Sequence, residues 1–134
     1  MGKVIDSCIW IDYLRTGTPD SVRKVADLVI NDSEAMICEP VQFELIAGAS
    51  KRDRAHLNSL LETMPMVPTP ANLWHEASKN SILIHDAGTR ISSMDLLIAS
   101  LCILKKVSLV TFDQHFLEIS KKTALDLILL KRPI

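Results

Sequence analysis

The sequence predicts an α/β fold: a central, mainly parallel β-sheet of four or five strands flanked by helices. Three observations predict it. Short runs rich in Val, Ile and Leu alternate with longer segments of helical period. Those runs are continuously apolar rather than alternating, as strands covered on both faces are. The segment Met94 to Lys106 is apolar on all sides, which marks a buried helix. A length of 134 residues suits one domain, so residues 1–134 are taken as a single unit with a core of its own.

Taken in order, Lys3 to Asp6 reads as a buried strand and Ile9 to Arg15 as a first helix. Pro19 and Asp20 open a second helix reaching about Asn31, with Val22, Val25, Ala26 and Val29 at helical spacing. Ala35 to Cys38 is a second strand. Pro40 suits the first turn of a third helix that ends near Gly48. Lys51 to Met64 is a polar-faced helix carrying Leu57, Leu60 and Leu61. Pro65, Pro68 and Pro70 mark a loop with room for a short strand at Met66 and Val67. A helix from Ala71 to Asp86 is stopped by Gly88. The buried helix follows, then a strand Val107 to Thr111, a helix Gln114 to Lys122 and a last strand Leu125 to Leu130.

Composition narrows the function. Lys plus Arg number 15 and Asp plus Glu 16, a net charge of −1. A broad polycationic nucleic-acid surface is excluded, so contact with nucleic acid must use local basic groups. Cys8, Cys38 and Cys102 lie far apart in apolar runs without zinc-ligand spacing, as expected of reduced, buried thiols in a cytoplasmic protein. No apolar segment has the length of a membrane span, so no membrane role is expected. The mean hydropathy of +0.21 hints at apolar surface kept for a partner.

In an open parallel sheet, ligands bind beyond the carboxyl ends of the strands. Asp6 ends the first strand and Asp113 follows the strand at 107–111. Asp95 starts the buried helix, and Glu44 lies beside the stripe Val41, Leu45 and Gly48. Four acids thus border buried surface. Two unit charges about 4 Å apart repel by roughly 4 kcal/mol at an effective dielectric near 20, so such a cluster needs protons or a cation. A hard divalent ion, Mg²⁺ or Mn²⁺, answers that need with carboxylates and water. The competing account is local: Asp6, Asp95 and Asp113 each precede a helix, and Asp is among the best N-caps. Glu44 alone would be a solvated helix residue. Spacing leaves both accounts open. Asp12, Glu76, Asp86 and Glu118 lack any supporting context and are taken as surface charges, and Trp10 as core. His115 follows Asp113 by two residues and is taken as a surface residue able to reach a phosphate. Arg15 and Arg90, near acid-bearing segments, could hold an RNA backbone or pair with an acid. No phosphate loop, nucleophile elbow or Asp-x-Asp pair is present.

Val4 to Arg15 (VIDSCIWIDYLR) resembles the opening strand and helix of PIN-domain ribonucleases of the VapC toxin type. Glu44 to Gly48 (ELIAG), Gly88 to Ser100 and Leu109 to Phe116 (LVTFDQHF) resemble their later acidic segments, in the same order. The resemblance implies a PIN-like fold and an acid quartet at Asp6, Glu44, Asp95 and Asp113. Asp6 and Asp95 would be the main ligands of Mg²⁺ or Mn²⁺, with Asp113 completing or supporting the shell. Glu44 would hold or deprotonate the attacking water, and Ser7 and Thr111 would supply supporting hydrogen bonds. It further implies endonucleolytic hydrolysis of RNA, a cognate antitoxin that covers the site, and a homodimer. The alternatives are a non-catalytic PIN-like module that binds RNA or protein, and a metal-dependent nuclease of RNA processing without an antitoxin. Two positions depart from the pattern. Cys8 stands where Asn or Ser is usual, and Phe112 where a polar or basic residue is common, which leaves the RNA contact at that edge open. Phe43, Ile46 and Ala47 lie opposite Val41 and Leu45 on the third helix, a face either buried between layers or offered to another chain.

Overall fold

A computed structural model describes residues 2–133. The strands are β1 (Lys3–Ile5), β2 (Ala35–Cys38), β3 (Met66–Val67), β4 (Ser108–Thr111) and β5 (Leu127–Leu129). The helices are α1 (Ser7–Leu14), α2 (Asp20–Ile30), α3 (Glu39–Gly48), α4 (Arg54–Glu62), α5 (Leu73–Asp86), α6 (Ser93–Lys105) and α7 (Phe116–Lys122). The strands form one sheet in the order β3-β2-β1-β4-β5, with every neighbouring pair parallel.

The register explains the uninterrupted apolar runs. Val4 faces Met36 on one side and Leu109 on the other, so β1 is the central strand, and Val4 and Ile5 are fully buried. From β1 the chain winds outward through β2 to β3, then returns through α5 and α6 to place β4 on the opposite flank. The reversal falls between β1 and β4, where such sheets open a crevice at their carboxyl ends. The α6 helix buries Leu96, Ile98, Ala99, Leu101 and Cys102, matching its apolar sequence. Its one buried hydroxyl, Ser100, takes a 2.9 Å bond from Asn80 of α5, which removes the cost of an unpaired polar group. Trp10 belongs to the core and is fully covered.

Several expected boundaries shift. The first helix starts at Ser7 rather than Ile9, because Asp6 caps it. The helix expected over 51–64 is confined to Arg54–Glu62, and the last strand to Leu127–Leu129. The short strand at Met66 and Val67 is real and forms the sheet's edge. Gly88 stops α5 with φ +90°, and Lys106 ends α6 in the left-handed region at φ 55° without a glycine. On α3, Val41 and Leu45 are buried while Phe43 is 62% exposed and Ile46 43%, so the second apolar face lies on the surface. The thiols of Cys38 and Cys102 are buried and that of Cys8 is half-buried; all three are free. Among the described residues no helix is long and apolar enough to cross a membrane.

Candidate active site

The crevice between β1 and β4 is where the chain has placed its unfavourable charges. Asp6 follows β1 with extended backbone (φ −65°, ψ 153°), and its amide continues the sheet by donating to the Val110 carbonyl at 2.9 Å. Its Oδ1 accepts from the Ser7 amide at 2.8 Å, so Asp6 is indeed a helix cap. The other carboxylate oxygen does different work. Asp6 Oδ2 accepts from Thr111 Oγ1 at 2.7 Å and from Cys8 Sγ at 3.3 Å. Thr111 Oγ1 in turn accepts from the Asp113 amide at 2.9 Å, tying the ends of both central strands into one network. Asp6 is 3% exposed. Burial raises its proton affinity; the bonds from Thr111, Cys8 and Ser7 oppose that rise, and the charge of Asp113 adds to it.

The other three acids converge on this point. Asp95 sits in the first turn of α6 and its amide donates to Ser92 Oγ at 3.2 Å. Ser92, not Asp95, is therefore the cap of that helix, which corrects the capping role considered for Asp95. Burial pushes the Asp95 carboxyl up to about 6, followed by the charge of Asp6 and, more weakly, those of Asp113 and Glu44. Asp113 closes a turn ahead of α7 by accepting from the His115 amide at 2.9 Å, with His115 Nδ1 also 2.9 Å from the same oxygen. It does not cap α7, whose preceding residue is His115. Glu44 reaches in from α3. Its proton affinity is raised first by burial and then by Asp6, and the Ser7 side chain opposes the rise. Glu44 Oε1 is shielded from water and has no hydrogen-bond partner. The charge of Asp113 thus acts on Asp6 and Asp95, and that of Asp6 on Glu44 and Asp95, while Ser7 contacts both Asp6 and Glu44 and Thr111 bridges Asp6 and Asp113.

A divalent cation suits this arrangement. The donors are oxygens apart from one thiol, and Glu44, which feels the charge of Asp6, has one buried carboxylate oxygen without a hydrogen-bond partner. Among the described residues no three such side chains close into a ligand cage. A Mg²⁺ site does not require one, since that ion keeps several waters and takes one or two carboxylates directly.

Beside Glu44 a cavity of about 360 Å³ runs between α1 and α3, walled by Ile11, Leu14, Leu45 and Leu57 and edged by Arg15 and Arg52. Neither Arg15 nor Arg90 forms an ion pair among the described residues.

Two features escape sequence reasoning. Cys8, expected as a buried hydrophobe, bonds to Asp6 and approaches Thr111 Oγ1 at 3.4 Å. Asp12, taken as a surface charge, is half-buried and pairs with Arg132 at 2.8 Å across 120 positions of sequence. No local signal announces a pair at such separation. Glu76 and Glu118 are surface charges as expected, paired with Lys79 and Lys121.

Comparison with known proteins agrees with this geometry. The chain is 28% identical over 115 residues to "Ribonuclease VapC19" of Mycobacterium tuberculosis, covering 85% of this chain and 91% of that protein. Its fold matches a chain in the crystal structure of VapBC2 from Rickettsia felis bound to a DNA fragment from their promoter, with a TM-score of 0.76, 21% identity, and 98% and 100% of the two chains covered. A chain of the DNA-bound VapBC structure from Salmonella typhimurium matches with a TM-score of 0.71 at 18% identity, over 96% of this chain and 97% of that one. The model of the PIN domain matches residues 3–122. With the sheet order, the crevice and the acidic ends of β1 and β4 in place, the chain belongs to the PIN domain family.

Proposed function

We propose that this protein is a Mg²⁺- or Mn²⁺-dependent endoribonuclease of the cytoplasm and the toxin of a toxin–antitoxin pair. The observation that carries the proposal is the meeting of Asp6, Glu44, Asp95 and Asp113 at the carboxyl ends of β1 and β4, where among the described residues no Lys or Arg forms an ion pair with any of the four. The ribonuclease name of the 28%-identical relative and the VapBC origin of the structural neighbours support the same reading.

In this reading Asp6 and Asp95 would be the ion's main ligands and Asp113 would support its shell, the remaining positions being left to water. When bound, such an ion would neutralise the cluster and supply a Lewis acid for a phosphate oxygen. Thr111 and the Ser7 amide fix the Asp6 carboxylate in one orientation, so its oxygens need not reorganise as substrate arrives. Glu44, with a free oxygen and a raised proton affinity, orients the attacking water and takes its proton. The exposed face of α3 around Phe43 and Ile46 and the cavity beside Glu44 offer apolar surface to a second copy and to an antitoxin.

The deciding experiment is cleavage of total RNA with Mg²⁺ or Mn²⁺, with and without EDTA, followed by mapping of the cut ends. Discrete cuts that EDTA abolishes are expected. Intact RNA under all conditions would favour a non-catalytic binding module, and discrete cuts unaffected by a co-expressed neighbouring protein would point to a nuclease without an antitoxin.

A further inference from the structure

The carboxylate cluster repels the polyanion it is proposed to cut, so a cation must meet the RNA at its edge. Arg132, past the end of β5, stands there. Its Nε donates to Asp12 Oδ2 of α1 at 2.8 Å. Its guanidinium carbon lies 4.9 Å from the centre of the Phe112 ring, the residue between Thr111 and Asp113. Its charge is within reach of Asp113 and of the Cys8 thiol, both part of the cluster. The side chain is still 51% exposed, and neither Nη group has a hydrogen-bond partner among the described residues.

Each contact removes one freedom and leaves the phosphate-binding edge open. Phe112 supports one flat face of the guanidinium, a geometry that suits Arg better than Lys. Asp12 fixes rotation through Nε. The two Nη groups are the pair that grips a phosphate through parallel bonds. A cation lent by the C-terminal segment thus stands over position 112, where the sequence itself has Phe.

We propose that Arg132 is a substrate-binding residue: seated on Phe112 and aimed by Asp12, its guanidinium holds a backbone phosphate of the RNA beside the carboxylate cluster. This rests on the ribonuclease reading above. The test uses the full chain with Mg²⁺ and a fluorophore-quenched RNA built around the cut site mapped in total RNA. For Arg132→Met, KM is expected to rise about 10-fold with kcat unchanged, the loss of one charge-assisted contact made equally in ground and transition states. The dependence of log KM on log salt should flatten by about one. Arg132→Lys should restore the salt slope but only part of the affinity, and Lys79→Met, on the distant α5, should change neither. A wild-type KM and salt slope in Arg132→Met would overturn the proposal, as would a lowered Tm and kcat with both unchanged, which is the mark of a purely structural clasp. Should the wild type leave total RNA uncut, the ribonuclease reading itself falls and this assignment with it.

Discussion

The two ends of β1 have opposite electrostatics. At its start, Lys3 Nζ meets Asp32 at 3.0 Å and lies 3.9 Å from Glu34, beside solvent. Lys3 is held more firmly protonated, chiefly by its bond to Asp32. Asp32 is held ionised, chiefly by the Glu34 amide and then by Lys3. At the other end, three residues on, Asp6 is buried, faces three further carboxylates, and is held by an amide, a hydroxyl and a thiol. The amino end is a settled ion pair. The carboxyl end is oriented by neutral donors, which fix a carboxylate's direction without neutralising it. Such an end suits the cation proposed above.

The largest effect should come from breaking the carboxyl end. Asp6→Asn keeps the cap, since Asn caps as well as Asp, but removes the charge. RNA cleavage should fall by about 10³-fold, on the scale of losing a major electrostatic group. In metal-free buffer Tm should hold or rise, because repulsion is relieved; a Tm drop of several degrees would recast Asp6 as structural.

Next in size is the orienting network. Thr111→Val keeps the shape but loses the hydroxyl that bonds Asp6 and receives the Asp113 amide. Calorimetry should show Mn²⁺ affinity about 10- to 100-fold weaker, the usual cost of a lost supporting bond. Unchanged affinity would show that Asp6 needs no such help.

A third, smaller effect concerns pH. The folded Asp95 carboxyl titrates at about 6, above the 3.8 of an unstructured Asp. The fold therefore favours its protonated form, and the stability this confers is fully present below about pH 4 and is lost as pH rises through about 6. In EDTA, Asp95→Asn should be more stable than wild type at pH 7.5 by on the order of 1 kcal/mol, a value kept below the full shift because water screens the exposed part of the carboxyl. The gap should close towards pH 4. A stability difference that does not vary with pH would remove Asp95 from the cluster.

The smallest effect belongs to the amino end. Lys3→Met removes a solvent-screened pair, so thermal unfolding should give a Tm close to wild type, with cleavage unaltered.

Much of this was legible in the sequence because parallel strands covered on both faces leave uninterrupted apolar runs. The ends of those runs say where a crevice opens. Asp6 and Asp113 could be placed there from position alone, and Asp95 and Glu44 from acids set against apolar helix faces. Whether a given Asp caps a helix or lines the crevice was not legible. Asp6 does both through different oxygens, and at α6 the cap fell to Ser92, one residue type among several that cap well. The two faces of α3 were equally apolar on paper, and only the packing separated Val41 and Leu45 from Phe43 and Ile46. Arg132 escaped because its partners, Asp12 and Phe112, are assembled by the sheet rather than by spacing.

The central claim is the proposal that the carboxylates at the carboxyl end of β1 bind a divalent cation. Titration of Mn²⁺ into the wild type and Asp6→Asn at pH 7.5, followed by calorimetry, tests it most directly. A saturable site in the wild type that Asp6→Asn abolishes is the expected result. Heat indistinguishable from dilution in the wild type, or equal binding in both proteins, would contradict it.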